Sequence, residues 1–169
     1  MAQFTAIDTL FWRMLSVRWQ LDPLGSGSHR TGGRWNPPGV HALYLAREHA
    51  TAIAEYHQDL IRPGTLAAYR VRSARIVDLT DPVLLVEERI DPAALSAPWR
   101  TIFRIDGGVP PGWPIAERLI VADADGALVP SIQQRGGVNL VLWRWHDAAQ
   151  HGEGAAVICQ DPMGDLARH

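Results

Sequence analysis

Residues 31–46, TGGRWNPPGVHALYLA, run from a flexible glycine-rich segment into a predicted β-strand. The Gly-Gly pair at 32–33 gives the backbone freedom, whereas the Pro-Pro-Gly turn at 37–39 restricts it. The mostly apolar residues that follow predict a short buried strand over 40–45. An arginine and a tryptophan stand between the loose pair and the stiff turn. The stretch is therefore either a simple turn or one wall of a ligand site.

The rest of the chain predicts an α+β domain whose strands are mostly antiparallel. Further strands are predicted over residues 66–72, 76–79, 127–132, 139–145 and 155–159. Helices are predicted over 47–61 and 115–122, and two short ones begin at Asp81-Pro82 and Asp91-Pro92, each an N-cap followed by proline. Because strands and helices do not alternate regularly, a doubly wound parallel sheet is not expected.

The helix predicted over residues 47–61 has an apolar arc and a polar arc. The apolar arc, expected to face the core, consists of Ala50, Ile53, Ala54, His57, Leu60 and Ile61. Glu55 falls on the opposite arc with Thr51 and Asp59, a position that usually faces solvent. Periodicity alone therefore gives no reason to assign Glu55 a function.

Composition excludes several classes of function. The chain has 169 residues, the size of one domain, and a net charge of -2, which leaves no basic excess for binding nucleic acid. No apolar run approaches the roughly 20 residues of a membrane span, and the N-terminal residues do not resemble a secretion signal. A single cysteine, Cys159, excludes an internal disulfide. A cytoplasmic domain is expected.

Common catalytic motifs are absent or incomplete. The glycine-rich residues 25–33 lack the preceding strand and following helix of a phosphate loop, although Arg30 or Arg34 there could still contact an anion. The histidines are not spaced i, i+4 as on a metal-binding helix, so no metal site is expected. Ser131 lies outside a nucleophile-elbow pattern. The long loop over 22–39 is typical of a functional or mobile segment.

Several short motifs, in order and at matching spacing, resemble those of the RES-domain family. They are FWRM at 11–14, GGRWN at 32–36, YLA at 44–46, AE at 54–55, VPS at 129–131 and NLVL at 139–142. The resemblance covers about residues 11–145, so residues 1–169 are interpreted as a single RES domain. The chain departs from the family at 56–59, YHQD, where aliphatic residues are usual.

The resemblance implies the toxin of a bacterial toxin–antitoxin pair, with an ADP-ribosyltransferase-like β core flanked by helices. Such toxins consume NAD⁺ without a metal. One expectation is mono-ADP-ribosylation of a protein such as phosphoribosyl pyrophosphate synthetase; transfer to a protein is favoured because the loop over residues 22–33 offers extra surface. The alternative is a glycohydrolase or phosphorylase that depletes NAD⁺. The expected partner is an Xre-type antitoxin that covers the cleft. A different class, a non-catalytic nucleotide-binding or interaction module, stays open.

The resemblance also implies roles for individual residues. The expected catalytic residues are Glu55, Arg34 and Ser131, and the expected NAD⁺-binding residues are Arg13, Arg34, Tyr44, Ser131 and Asn139. These residue types suit the chemistry, because a guanidinium matches phosphate oxygens and a carboxylate stabilises positive charge that develops on a ribose. An aromatic ring such as that of Tyr44 can pack against nicotinamide.

Overall fold

The computed structural model describes residues 3–58 and 60–167, and in this part of the chain seven strands form one mixed sheet. The strands are β1 (Thr5–Leu15), β2 (Leu43–Ala46), β3 (Thr65–Asp78), β4 (Gly126–Pro130), β5 (Val138–Leu142), β6 (Trp145–Asp147) and β7 (Ala155–Cys159). The helices are α1 (Ser28–Thr31), α2 (His49–His57), α3 (Pro82–Glu87), α4 (Pro92–Ser96), α5 (Trp99–Arg104) and α6 (Gly112–Val121).

The sheet closes on itself. Its strand order is β1-β2-β5-β4-β3-β7-β6, and an additional pairing between β1 and β3 joins the first five strands into a ring. The pairs β3–β4 and β6–β7 are parallel, and the other pairs are antiparallel. The predicted α+β class is therefore confirmed, and most of the strand pairs are antiparallel.

Both faces of the central strands are buried, which explains their almost continuous apolar sequence. Successive side chains of a strand point to opposite faces, so Leu140 and Leu142 enter one hydrophobic cluster and Val141 the other. The first cluster lies between strands, whereas the second also contains side chains of α3, α4 and α6. No helix in the described residues is long and apolar enough to cross a membrane.

Strand β3 is one continuous element, although the sequence predicted two strands with a break at residues 73–75. The polar residues at this point keep their hydrogen bonds, because Ser73 Oγ donates to Asp125 Oδ2 at 2.8 Å. Arg75 forms ion pairs with Asp123 and Asp125. Strand β1 was not predicted, since most of its side chains are exposed or half-buried and its pattern is correspondingly weak.

The prediction for the faces of α2 was wrong. Thr51, assigned to the polar arc, is 1% exposed, whereas Ile53 of the apolar arc is 36% exposed. Leu60 and Ile61, 69% and 85% exposed, lie beyond the end of the helix. Asp59 lies outside the described residues. The inward side of the helix includes Thr51, which packs against Gly137, where an added Cβ would lie 2.7 Å from Thr51 Oγ1.

The two predicted N-caps are present. The Asp81 carboxylate accepts a hydrogen bond from Val83 N at 2.8 Å, and the Asp91 carboxylate accepts one from Ala93 N at 2.9 Å. In both helices proline occupies a first-turn position, where no N–H is needed. These caps define the start of α3 and of α4, the helices that precede α5.

Replacing Asp91 with alanine is expected to destabilise the fold, because the first turn of α4 then loses the acceptor for Ala93 N. The expected loss is about 1 kcal/mol, equivalent to a fall in Tm of about 2–4 °C in thermal unfolding. Asp91→Asn is the control, since asparagine keeps a capping oxygen. Equal losses in both variants would contradict the capping role.

Candidate active site

A cavity of about 500 Å³ lies between the ring of strands, residues 28–35, α2 and α5. This volume is within the range of small-molecule sites, about 300–1,000 Å³. The predicted site residues that line it are Arg13, Arg34, Tyr44, Glu55 and Asn139. Ser131 does not line the cavity but contacts Glu55 directly. The fold thus brings the six residues to one place.

The carboxylate of Glu55 is held by two side chains from the neighbouring strands. Glu55 Oε1 accepts hydrogen bonds from Ser131 Oγ and from Asn139 Nδ2, each at 2.7 Å. Asn139 is in β5, opposite Ala46 of β2, and Ser131 follows the last residue of β4. No described residue donates a hydrogen bond to Glu55 Oε2. One carboxylate oxygen is therefore fixed, and the other is available to a ligand.

Ser131 is itself fixed by its own loop. Its backbone N–H donates to Gly137 O at 2.8 Å, and its hydroxyl accepts from Gln134 N at 3.1 Å. Since the hydroxyl oxygen accepts from the backbone, its proton is directed to Glu55. In this geometry Ser131 orients Glu55.

Arg34 lies beside the carboxylate without forming an ion pair within the described part of the chain. Its Nη1 donates to the carbonyl of Ala97, between α4 and α5, and the remaining N–H groups of the guanidinium are left for other acceptors. Burial lowers the pKa of Arg34; nearby Glu55 opposes this shift, whereas Arg100 adds to it. The guanidinium remains charged at neutral pH, because the ordinary pKa of arginine is far above 7.

The Tyr44 hydroxyl belongs to the turn that carries Arg34. It accepts a hydrogen bond from Trp35 N at 3.0 Å and donates to Asn36 Oδ1 at 2.7 Å. Burial raises the pKa of this phenol. Only the ring of Tyr44 is therefore left for a ligand. A Cβ at Gly33 would lie 2.6 Å from both Tyr44 Oη and Asn36 Oδ1, so this position requires glycine.

Asn36 and Trp35, for which the sequence suggested no role, are structural. Asn36 is fully buried, and its Nδ2 donates to the carbonyls of Ser28, Pro37 and Val40. Trp35 is also buried, and Trp143 Nε1 donates to its carbonyl at 3.0 Å. Asn36 therefore joins the segments before and after Arg34, and Trp35 ties the chain next to Arg34 to Trp143.

The loop over residues 22–33 is anchored to the strands. Arg13 Nη1 donates to the carbonyls of Pro23 and Gly25 at 3.1 and 3.0 Å, and Ser26 Oγ donates to Ala42 O at 2.8 Å. Burial lowers the pKa of Arg13. Arg13 lines the cavity, but part of its hydrogen-bonding capacity is used to hold this loop.

Helix α5 and the end of α2 also line the cavity, and sequence reasoning did not assign them to the site. The lining residues that it missed include Tyr56, Gln58, Trp99, Arg100 and Thr101. Two of them lie in the YHQD segment, at which the chain departs from the RES family pattern. That departure was the available signal. Among the described residues there is no cluster of three or more histidine, cysteine, aspartate or glutamate side chains that could hold a metal ion.

Replacing Tyr44 with phenylalanine is expected to destabilise the protein by about 2 kcal/mol, because Trp35 N and Asn36 Oδ1 then lack their partner inside the fold. Thermal unfolding should show a Tm lower by about 4–8 °C. Tyr56→Phe is the matched control, since its hydroxyl bonds to Pro63 O at an exposed position. A Tm change in Tyr44→Phe no larger than in this control would contradict the role of the hydroxyl.

Comparisons with known proteins identify the family of the chain. A search of characterised proteins gives no significant sequence match. A chain in the crystal structure of the M. tuberculosis MbcT-MbcA toxin-antitoxin complex is similar in fold, with a TM-score of 0.58 and 20% identity over 92% of this chain and 86% of that chain. The sequence model of the RES domain matches residues 10–162, slightly more than the motifs at 11–145 indicated. The chain belongs to the RES domain family.

Proposed function

We propose that this protein is a toxin that cleaves the nicotinamide–ribose bond of NAD⁺ and transfers ADP-ribose to a protein acceptor. The observation that carries the proposal is the carboxylate of Glu55, which Ser131 and Asn139 fix beside Arg34 at a cavity of about 500 Å³. A carboxylate held in one orientation near a guanidinium matches the charges of NAD⁺, whose ribosyl centre becomes positive while its diphosphate is negative.

The chemistry assigns a role to each carboxylate oxygen. Departure of nicotinamide leaves positive charge on the ribose, and a preorganised carboxylate stabilises this charge, as in glycoside cleavage. Oε2 of Glu55 accepts a hydrogen bond from a ribose hydroxyl, while Oε1 stays with Ser131 and Asn139. Because both donors are fixed before the substrate binds, little reorganisation is needed during the reaction.

The other predicted residues bind the substrate. Arg34 contacts the diphosphate with the N–H groups that Ala97 does not use. The ring of Tyr44 packs against nicotinamide, since its hydroxyl is occupied by the turn. Arg13 holds the loop over 22–33 and adds a positive charge to the wall of the cavity. No metal takes part in this scheme.

The acceptor is the part of the proposal that depends most on the resemblance. The surface of the loop over 22–33 favours a protein acceptor, whereas phosphoribosyl pyrophosphate synthetase as that acceptor is implied only by the resemblance. Arg13 and Ser26 fix this loop to the strands, so it acts as a rigid rim of the cavity. The alternative acceptors are water and phosphate, which would deplete NAD⁺. The labelling experiment below distinguishes them from a protein acceptor.

We further propose an ADP-ribosyltransferase-like core, a cytoplasmic site of action and an Xre-type antitoxin as partner. The crystal structure similar in fold is that of a toxin–antitoxin complex. Ile53, Leu60 and Ile61 expose apolar surface along and just beyond the helix that carries Glu55. Such surface next to a cleft suits a protein partner that covers the site.

Purified protein is expected to release nicotinamide from NAD⁺, measured by chromatography. Glu55→Gln and Arg34→Ala should each lower the rate by about 10²–10³-fold, because each removes a preorganised charge. Glu117→Gln is the matched control, since Glu117 is exposed on α6 and does not line this cavity. Absence of release even with phosphate and cell lysate present would contradict an enzyme and favour a non-catalytic binding module.

NAD⁺ labelled in its adenylate phosphate is expected to label a discrete protein when the toxin is added to cell lysate, because a protein acceptor retains the ADP-ribose. Gel electrophoresis and autoradiography detect the band, and Glu55→Gln serves as the inactive control. Unlabelled protein together with free ADP-ribose, or ADP-ribose phosphate, would contradict protein transfer and indicate degradation of NAD⁺.

A further inference from the structure

A second arginine, Arg100 of α5, lines the cavity. Arg100 lines the cavity together with Trp99, and its guanidinium lies 5.4 Å from the centre of the Trp99 ring. Arg34, on the opposite segment, bonds to the carbonyl of Ala97, three residues before Arg100 in sequence. Residues 97–100 therefore include both the acceptor for the Arg34 guanidinium and the residue that carries the second guanidinium, Arg100.

Gln58 connects Arg100 to the helix of the catalytic carboxylate. Arg100 Nη1 donates to Gln58 Oε1 at 2.7 Å, and Gln58 Nε2 donates to the carbonyl of Glu55 at 3.1 Å. Gln58 has φ of 45°, in the region that favours glycine. A glutamine at this position is strained, but glycine could not make either side-chain hydrogen bond.

The two guanidinium groups add positive charge at one end of the cavity. Arg100 is close enough to Arg34 to lower its pKa. Within residues 3–58 and 60–167, neither arginine forms an ion pair with a carboxylate, and Glu55 Oε1 is occupied by Ser131 and Asn139. The protein as a whole has a net charge of -2, so this local excess does not reflect a basic chain. An anion between the two guanidinium groups would relieve their repulsion.

We propose that Arg100 and Arg34 form a clamp for two adjacent phosphates, in which Arg100 is a further substrate-binding residue and Gln58 is its positioning residue. The proposal rests on the proposed function, because it assigns the clamp to the diphosphate of the dinucleotide. Two planar guanidinium groups carried by different segments suit a diphosphate better than a single phosphate, since each can contact a different phosphoryl group.

The clamp predicts that the effect of Arg100→Gln depends on the number of phosphates in the ligand. Calorimetry with ADP-ribose should show about 10- to 100-fold weaker binding, as expected for loss of one charge-assisted contact. The affinity for AMP should fall by a smaller factor than the affinity for ADP-ribose. Adenosine should bind Arg100→Gln and wild type equally. Arg100→Lys should recover part of the affinity for ADP-ribose. Arg104→Gln, on the same helix but outside the cavity lining, should bind every ligand like wild type.

Gln58→Gly separates positioning from folding. Relief of the positive φ should raise Tm by about 2–4 °C, whereas loss of the hydrogen bond to Arg100 should weaken binding of ADP-ribose but not of adenosine. Combining Gln58→Gly with Arg100→Gln should weaken ADP-ribose binding no further than Arg100→Gln alone, because both changes remove the same contact. Additive losses would contradict the positioning role, as would unchanged ADP-ribose binding in Gln58→Gly.

The outcomes distinguish the clamp from the proposed function. The clamp is overturned if wild type binds ADP-ribose and Arg100→Gln binds it equally well. It is also overturned if Arg100→Gln weakens the binding of ADP-ribose and of adenosine to the same extent. Either result leaves NAD⁺ cleavage standing. Inorganic pyrophosphate provides the opposite test. If wild type binds pyrophosphate through Arg100 but neither ADP-ribose nor NAD⁺, the anion clamp stands and the proposed function fails. If wild type binds none of these ligands, both fail.

Discussion

The hydrogen bonds from Ser131 and Asn139 to one oxygen of Glu55 are the constraint on which the rest of the site depends. They require the ends of β4 and β5 to meet the inner side of α2, so the helix must turn its polar residues toward the sheet. A partly buried carboxylate without such donors would lose solvation, whereas two short hydrogen bonds satisfy one oxygen and leave the other free to accept from a ligand. The orientation of α2 therefore follows these hydrogen bonds, and the amphipathic pattern of its sequence does not determine it.

A second set of contacts gives Arg34 its rigidity. Asn36 and the Tyr44 hydroxyl fix the turn after Arg34, and Trp35 anchors it in the hydrophobic cluster shared with α6. The pairing of flexible and stiff segments in residues 31–46 follows from this arrangement. Gly33 allows the backbone to pass close to Tyr44, and the prolines limit the conformations of the turn. The position of Arg34 beside the cavity is thus fixed by the uncharged residues Trp35, Asn36 and Tyr44.

The sequence predicted the α+β class, the caps of α3 and α4 and the strand at residues 155–159, because local patterns determine these features. It did not predict β1, whose pattern is weak on a half-exposed face, or the continuity of β3, whose polar residues find partners at Asp123 and Asp125.

The site residues came from motif resemblance, and the structure brings them together, although their roles stay predictions. Periodicity placed Glu55 toward solvent, because a helical pattern does not record a carboxylate satisfied by distant donors. Arg100 was missed for a different reason, since α5 has only 6 residues and is too short to show a period.

The order of the strands along the chain has a consequence for synthesis on the ribosome. The ring is closed by pairs between distant segments: β1 pairs with β3, and β2 pairs with β5, whose last residue is Leu142. A nascent chain that ends before Ser131 has Glu55 and Arg34 but neither donor that fixes the carboxylate. The arrangement of charges therefore cannot form until most of the polypeptide has emerged. A partly synthesised or truncated copy that ends before Ser131 therefore lacks the arrangement of donors and carboxylate that makes up the site.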